Sequence, residues 1–329
     1  MRVLVTGGAG YIGSTVTTEL ITRGHDVIVL DSLEKGHRSA VSPEAQFLQG
    51  DLASDQVLSQ TFDRGPFDAV MHFAAYIEAG ESMRDPARFF RNNTGNTLRL
   101  AEAAIRHGVE KFIFSSTAAV YGDPQTTPID ESHPTQPTNA YGMAKLLADQ
   151  ALDWIARLQG MTCISLRYFN AAGAGTVFGE DHHPETHLIP LLLESVLGQR
   201  RGISLFGADY PTPDGTCIRD YIHILDLAQA HTLALEASLP GVRHIFNLGN
   251  GHGFSNRQVI AAVEVVTGTP IPVEVAPRRP GDPAVLVASS EKIRRELGWA
   301  PRYPELDDII RSAWEWKRNN PKGYKISSI

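Results

Sequence analysis

The chain has 329 residues, 42% hydrophobic and 20% charged, with a formal net charge of -7 at neutral pH. That composition excludes a disordered chain, and the acidic balance argues against nucleic acid or anionic lipid as a partner, so neither nucleic acid nor membrane is expected. The length exceeds one small core and implies two domains or one elaborated α/β domain.

Short β-branched runs alternate with helix-period segments in the first half, the pattern of βαβ units around a parallel sheet. Strands are predicted at Arg2 to Thr6, Asp26 to Leu30, Ala45 to Gln49, Ala69 to Phe73, Lys111 to Ser115 and Thr162 to Leu166. Helices are predicted at Tyr11 to Arg23, Gln56 to Phe62, Pro86 to His107 and Ala140 to Gln159. The third opens on Asp85-Pro86, a carboxylate cap with proline at the first helical position. After Arg167 the chain is punctuated by glycine and proline, which reads as a second lobe. Tyr221 to Ala237 and His244 to Gly249 look like helix then strand, and could return to the first sheet. The expected fold is a Rossmann-type doubly wound parallel sheet with a smaller mixed α/β domain. Cys163 and Cys217 are too few for a disulfide framework or a zinc site, so each is expected to be a small buried apolar residue, and no metal is expected. The opening segment lacks the features of a signal peptide and no run is long enough to span a membrane, which makes a cytoplasmic location the expectation.

The turn Thr6-Gly7-Gly8-Ala9-Gly10-Tyr11-Ile12-Gly13 follows a strand and opens a helix, where glycines allow a tight turn and close approach of a pyrophosphate to free backbone N–H groups. Asp31 ends the second strand, 18 positions after Gly13, close to the roughly 20 expected of an acidic ribose ligand. A carboxylate there accepts from a ribose 2′-hydroxyl and repels a 2′-phosphate, which favours NAD over NADP. Asp51, Leu52, Phe73, Ala74 and Ala75 lie just past further strands, where they could line the adenine and the cofactor's centre or belong to the core.

Tyr141 and Lys145 stand four apart near a helix start, hence on one face. A phenol is a poor base at neutral pH unless a neighbouring ammonium and a cationic nicotinamide favour its phenolate, the form that can take a proton from an alcohol while hydride leaves. Thr117 follows Ser115-Ser116 at the carboxyl end of a strand, facing the crevice where ligands of open α/β sheets bind. It could hydrogen-bond the reacting oxygen and share its proton with Tyr141.

These segments resemble the extended short-chain dehydrogenase/reductases, and within them the NAD-dependent UDP-glucose 4-epimerases. The resemblance runs over nearly the whole chain, through Val3 to Ser14, Ile113 to Gly122, Leu166 to Asn170, Arg219 to His223 and Arg278 to Asp282. It implies a soluble enzyme that interconverts UDP-galactose and UDP-glucose through a transient 4-keto sugar, with tightly held NAD reduced and reoxidised in each turnover. Tyr141, Lys145 and Thr117 would be catalytic. Gly7, Gly10, Tyr11, Ile12, Gly13, Asp31, Ser32, Asp51, Leu52, Phe73, Ala74, Ala75, Asn92, Ser115, Tyr141, Lys145 and Tyr168 would hold the cofactor. The substrate would meet Thr117, Tyr141, Asn170, His187, Leu188, Phe206, Arg219, Arg279, Asp282 and Leu286. The expected division is a cofactor domain over 1–169, with a return at 220–250, and a UDP-sugar domain over 170–219 and 251–329. Relatives commonly form homodimers by pairing the helices that correspond to 92–107 and 140–159.

Several positions depart from the family pattern. Thr117 replaces a serine and keeps the hydroxyl. Ile77 stands where a lysine reaches the cofactor diphosphate, His187 stands at a substrate-binding asparagine position, and Leu286 is intermediate in size at a gatekeeper of N-acetyl sugars. Ala118 and Ala119 after the strand-end hydroxyl exclude the acid–base pair of a 4,6-dehydratase. Epimerases of UDP-N-acetylglucosamine, UDP-glucuronate or UDP-xylose remain alternatives, as does, from another class, a non-catalytic NAD-sensing protein.

Overall fold

A computed structural model describes residues 1–239, 241–279 and 281–324; Pro280 of the Arg278 to Asp282 segment and residues 325–329 of the expected second lobe lie outside them. Six strands, β1 (Arg2–Thr6), β2 (Asp26–Asp31), β3 (Gln46–Gln49), β4 (Ala69–His72), β5 (Lys111–Thr117) and β6 (Thr162–Tyr168), join the strand Arg243–Leu248 in one parallel sheet. The order across the sheet is Arg243–Leu248, β6, β5, β4, β1, β2, β3, so the direction of winding reverses between β1 and β4. In open α/β sheets the crevice at that reversal is where ligands bind.

The strands are apolar on both faces because helices cover both. Val3 and Val5 of β1 point to one side, where they pack with Val16 and Leu20 of α1 (Tyr11–Thr22) and with Leu227 and Leu235 of the helix Ile224–Glu236. Leu4 points to the other side, among Leu58 and Phe62 of α2 (Asp55–Phe62), Leu100 and Ala104 of Asn96–Arg106, and Leu152 and Ala156 of Ala140–Gln159. Both cysteines are free and buried, and burial pushes the Cys163 thiol up to about 12.

Two predicted elements differ in detail. The expected single helix from Pro86 to His107 is a helical run interrupted by six residues, Phe90–Gly95, wound as a π-turn between Pro86–Phe89 and Asn96–Arg106. Asn92-Asn93-Thr94-Gly95 are poor helix formers, and the side chains of Asn93 and Thr94 bond outward to Tyr76 and to the Ala144 carbonyl. The expected helix from Tyr221 begins at Ile224, because Ile218–His223 is a strand. That strand pairs with Asn170–Ala172, Val285–Leu286 and Gly253–Ser255 in a separate sheet beyond the carboxyl edge of the first. A third core, built from Ile189, Leu192, Val259, Val263, Ile309 and Ile310, underlies this region.

The β1–α1 turn is compressed to backbone contact. Gly7 has a φ of 76°, and a Cβ on it would stand 2.5 Å from the Ala74 nitrogen at the end of β4. A Cβ on Gly13 would meet the Gly7 carbonyl oxygen at 2.2 Å, a backbone neighbour that cannot rotate away. Gly13→Ala is expected to lower stability by about 1–3 kcal/mol, in the manner of an overpacked core. An unchanged urea midpoint would contradict this packing account.

Candidate active site

One cavity of ≈ 720 Å³ opens over the carboxyl edge of the sheet, between it and the second region. Every residue expected at the site lines it except Leu286. Leu286 instead pairs with Arg219 in the second sheet and packs against the cluster of Val120, Tyr121 and Phe169, so its side chain does not form the cavity wall.

At one end lie the glycine turn and the N-terminus of α1. Asp31, buried at the end of β2, accepts from the Ala9 nitrogen at 2.9 Å and the Leu33 nitrogen at 2.9 Å. Burial raises its pKa and these two amides oppose the rise. A carboxylate has about four acceptor sites, so two remain for a ligand hydroxyl. Asp51 accepts from the Ala53 nitrogen at 2.8 Å beside it. Tyr11 donates to the Gly173 carbonyl at 2.6 Å, which ties the start of α1 to the second region. Ile77 lines the cavity without a charge, yet a cation reaches the same wall from another loop. Lys35 Nζ donates to Glu78 Oε1 at 2.9 Å and to the His183 carbonyl at 3.2 Å.

In the middle, Asn139 caps the helix Ala140–Gln159 by accepting from the Gly142 nitrogen at 2.8 Å. This brings Tyr141 over the end of β5, where its phenol is hydrogen-bonded to Thr117. Burial raises the tyrosine pKa, the Thr117 bond lowers it and Glu78 adds to the rise. One helical turn on, Lys145 is buried, and its Nζ donates to the Ser115 carbonyl at 2.8 Å and stands 4.9 Å from the Phe114 ring centre. Burial pulls its pKa down to about 7. In the protein alone burial is the largest influence on Tyr141, and Lys145 is aimed at the strand backbone. Tyr168 and Ser115 are hydrogen-bonded through their hydroxyls, and burial raises the Tyr168 pKa.

At the far end, Arg219 and Asp282 form an ion pair, and the Arg279 guanidinium lies 4.1 Å from the Phe206 ring centre. Asn170 hydrogen-bonds Tyr221, and Leu188 opens the helix Leu188–Val196 in the adjoining wall. His187, expected to donate to a ligand, has its Nδ1 engaged at 2.9 Å by both Glu180 and Glu185. Burial opposes its charge, but the two carboxylates outweigh that and raise its pKa.

Some positions around the cavity escaped the sequence reading. Asn93 is a buried clamp of the loop after β4: it accepts from the Tyr76 nitrogen at 2.9 Å and donates to the Tyr76 carbonyl at 2.8 Å. Asn92 lines the cavity and donates to Asn93 at 3.0 Å. The signal was available in an asparagine pair placed mid-helix. Glu180, His182 and Glu185 join His187 in the wall, although no metal-type cluster was expected. Their Glu-x-His-x-x-Glu-x-His spacing was the overlooked sign.

The model of the NAD dependent epimerase/dehydratase family matches residues 3–249. The chain is 51% identical over 332 residues to the UDP-glucose 4-epimerase of Halalkalibacterium halodurans, covering 100% of this chain and 99% of that relative. It is 49% identical over 328 residues to the UDP-glucose 4-epimerase of Lacticaseibacillus casei, covering 98% and 99%. The crystal structure of UDP-glucose 4-epimerase from Bifidobacterium longum in complex with NAD+ and UDP superposes with a TM-score of 0.95 at 38% identity, over 98% of this chain and 100% of that one. The chain belongs to the NAD-dependent epimerase/dehydratase family.

Proposed function

We propose that this protein interconverts UDP-galactose and UDP-glucose by epimerisation at C4, through a transient 4-keto sugar. The observation that carries the reading is the Tyr141–Thr117 hydrogen bond in a cavity that has a helix N-terminus at one end and Arg219, Arg279 and Asp282 at the other. The residues present fit NAD. The turn at Gly7 and Gly13 leaves no room for a Cβ, and the Asp31 carboxylate would accept from a ribose hydroxyl and repel a 2′-phosphate. Held at Gly7, Gly13 and Asp31, NAD would supply a hydride acceptor and donor for the sugar carbon.

The chain's own part is to move a proton and hold the substrate. Tyr141 removes the proton of the sugar 4-hydroxyl and returns it after the keto sugar has turned over, and Thr117 shares that proton across their hydrogen bond. Lys145 keeps further donors beyond the one given to Ser115, and these suit the hydroxyls of a nicotinamide ribose. Asn170, Arg219 and Arg279 are assigned to the sugar diphosphate, where a planar guanidinium matches phosphate geometry, and Asp282 to the uridine ribose. On this reading 1–169 and 220–250 hold NAD, and 170–219 with 251–329 hold the UDP-sugar. No helix among the described residues is long and apolar enough to cross a membrane, and a cytoplasmic location is part of the same proposal.

We also infer a homodimer. Met143, Leu147, Trp154 and Leu158 fall on one face of the helix Ala140–Gln159, and Trp154 and Leu158 are 64% and 72% exposed. A monomer leaves such a stripe in water, and a two-fold interface covers it.

The purified protein is expected to convert UDP-galactose to UDP-glucose without added reductant. Tyr141→Phe should lose about 10²–10⁴-fold in turnover with NAD still bound. No conversion of UDP-galactose in a chromatographic panel of UDP-sugars overturns the reading. The Lys145 pKa falls from 10.5 to about 7 on folding, so between those values the unfolded chain binds more protons and stability drops as pH falls. In the cofactor-free state Lys145→Met should melt above wild type at pH 7, with the gap closing towards pH 10. A gap independent of pH argues against a strained ammonium. Trp154→Glu combined with Leu158→Glu should halve the mass measured by light scattering, and an unchanged dimer places the interface elsewhere.

A further inference from the structure

The loop between Ala172 and the helix at Leu188 contributes to the cavity wall a cluster of side chains of which only His187 was expected to meet the substrate. Glu180, His182, Glu185 and His187 each offer one ligand atom, and these atoms all lie within 4.8 Å of one another. His187 Nδ1 is 2.9 Å from Glu180 Oε1 and 2.9 Å from Glu185 Oε1. His182 Nδ1 is 3.3 Å from Glu180 Oε1 and 3.7 Å from Glu185 Oε2.

We propose that these four side chains bind one divalent transition-metal ion of the zinc type, through two imidazole nitrogens and two carboxylate oxygens. Zinc at about 2.0–2.2 Å from four tetrahedral donors places neighbouring donors roughly 3.3–3.6 Å apart. The four His–Glu separations, 2.9 to 3.7 Å, bracket that spacing and all the ligand atoms lie within 4.8 Å of one another, so closing on an ion needs shifts of up to about an ångström. The donor set is one of nitrogen and oxygen without thiolate, which suits zinc and its neighbours and is far from the oxygen cage of calcium or magnesium.

The ion pairs alone leave one nitrogen poorly served. His182 Nδ1 is buried and lies 3.3 Å from Glu180 and 3.7 Å from Glu185 without the alignment of a good hydrogen bond to either. An ion at the centre of the four atoms serves this nitrogen along with the other three. The carboxylate of Glu185 is already oriented from behind, since its Oε1 accepts from the Thr186 nitrogen at 2.7 Å and the His187 nitrogen at 2.8 Å. Such outer support is what fixes a ligand's direction in metal sites. All four ligands come from eight consecutive residues, so the site assembles with its own loop.

The ion's work is to clasp that loop into the cavity wall. The His182 ring meets the Tyr11 ring edge-on at 6.3 Å, and the next residue's carbonyl receives Lys35. A metal there holds the wall between the glycine turn and Leu188, whatever sugar the protein acts on.

The NAD-containing protein, stripped with a chelator and dialysed, is titrated calorimetrically with zinc chloride at pH 7.5, with bound metal counted by mass spectrometry. One zinc per chain is expected. His182→Gln and Glu185→Gln should each weaken binding about tenfold or more, and His183→Gln, beside the cluster but outside it, should bind as wild type. Absent or substoichiometric binding overturns the proposal, as does equal binding by all three variants, which marks adventitious surface sites. Cobalt(II) gives a second readout on the unmutated protein. Intense visible absorption reports the expected four-coordinate site, and the pale spectrum of a six-coordinate ion overturns it.

Discussion

The contact of two bare backbone segments at the carboxyl edge of the sheet is the constraint on which the rest of the site depends. Because Gly7 lies against Ala74 and Gly13 against Gly7, α1 starts low in the crevice between β1 and β4 and aims its free N–H groups along the cavity floor. Neighbouring segments are then fastened to the turn itself. Asp31 accepts from Ala9 on one side, and the loop after β2 returns so that the His37 nitrogen donates to the Ala9 carbonyl at 2.9 Å. Raising the turn by one methyl group would move the helix, the loop carrying Lys35 and the cavity floor together.

The helix bearing Tyr141 is held by a different device. Asp149, one turn beyond Lys145, is buried between Arg167 at 2.8 Å and Arg243 at 2.8 Å and also accepts from Ser165. These partners lie on β6 and on the strand Arg243–Leu248, so a charge network locks the helix to the sheet's edge. Burial works against the aspartate's ionisation, and the two guanidiniums overcome it. Losing one partner of such a pair costs about 3–5 kcal/mol, since the remaining charge stays buried. Lys145 touches a carbonyl and an aromatic face and feels Asp149 only at longer range. The helix is thus anchored by a compensated charge and carries towards the cavity a lysine whose burial outweighs the support of Asp149, the combination expected where stability has been yielded to function.

Much of this was legible in the chain because it is local. The strand–glycine–helix turn, the acidic strand end at Asp31 and the Tyr141/Lys145 spacing are set by period and by short-range geometry, and the structure gathers them around one cavity. What escaped depends on tertiary pairing. Asp220 reads as part of a motif beside Arg219, yet it is a buried hub that accepts from the nitrogens of Asn250, Gly251 and Ala288 at 2.8, 3.0 and 3.1 Å. Burial pushes its pKa up to about 6. Nothing in its neighbours along the chain announces three amides from two distant loops. That Leu286 stands outside the cavity lining was hidden for the same reason, since residue size says nothing about which side of a short strand faces the cavity. Ile218–His223 was taken partly for helix because an apolar run flanking a helix carries no period of its own.

The cations of the cavity show how an acidic protein can receive an anionic ligand. Lys35 is held by Glu78, Arg219 by Asp282, and Arg279 lies over Phe206. With a net charge of -7 the molecule offers little long-range attraction to a diphosphate, and the nearest cations are already partly neutralised. Binding must therefore come from short-range geometry: free amides at the start of α1 and guanidinium forks whose remaining donors point to fixed places. A generic polyanion gains little from such a cavity. A ligand whose phosphates fit one of these ends gains from its geometry, and the carboxylates beside Lys35 and Arg219 disfavour anions that do not.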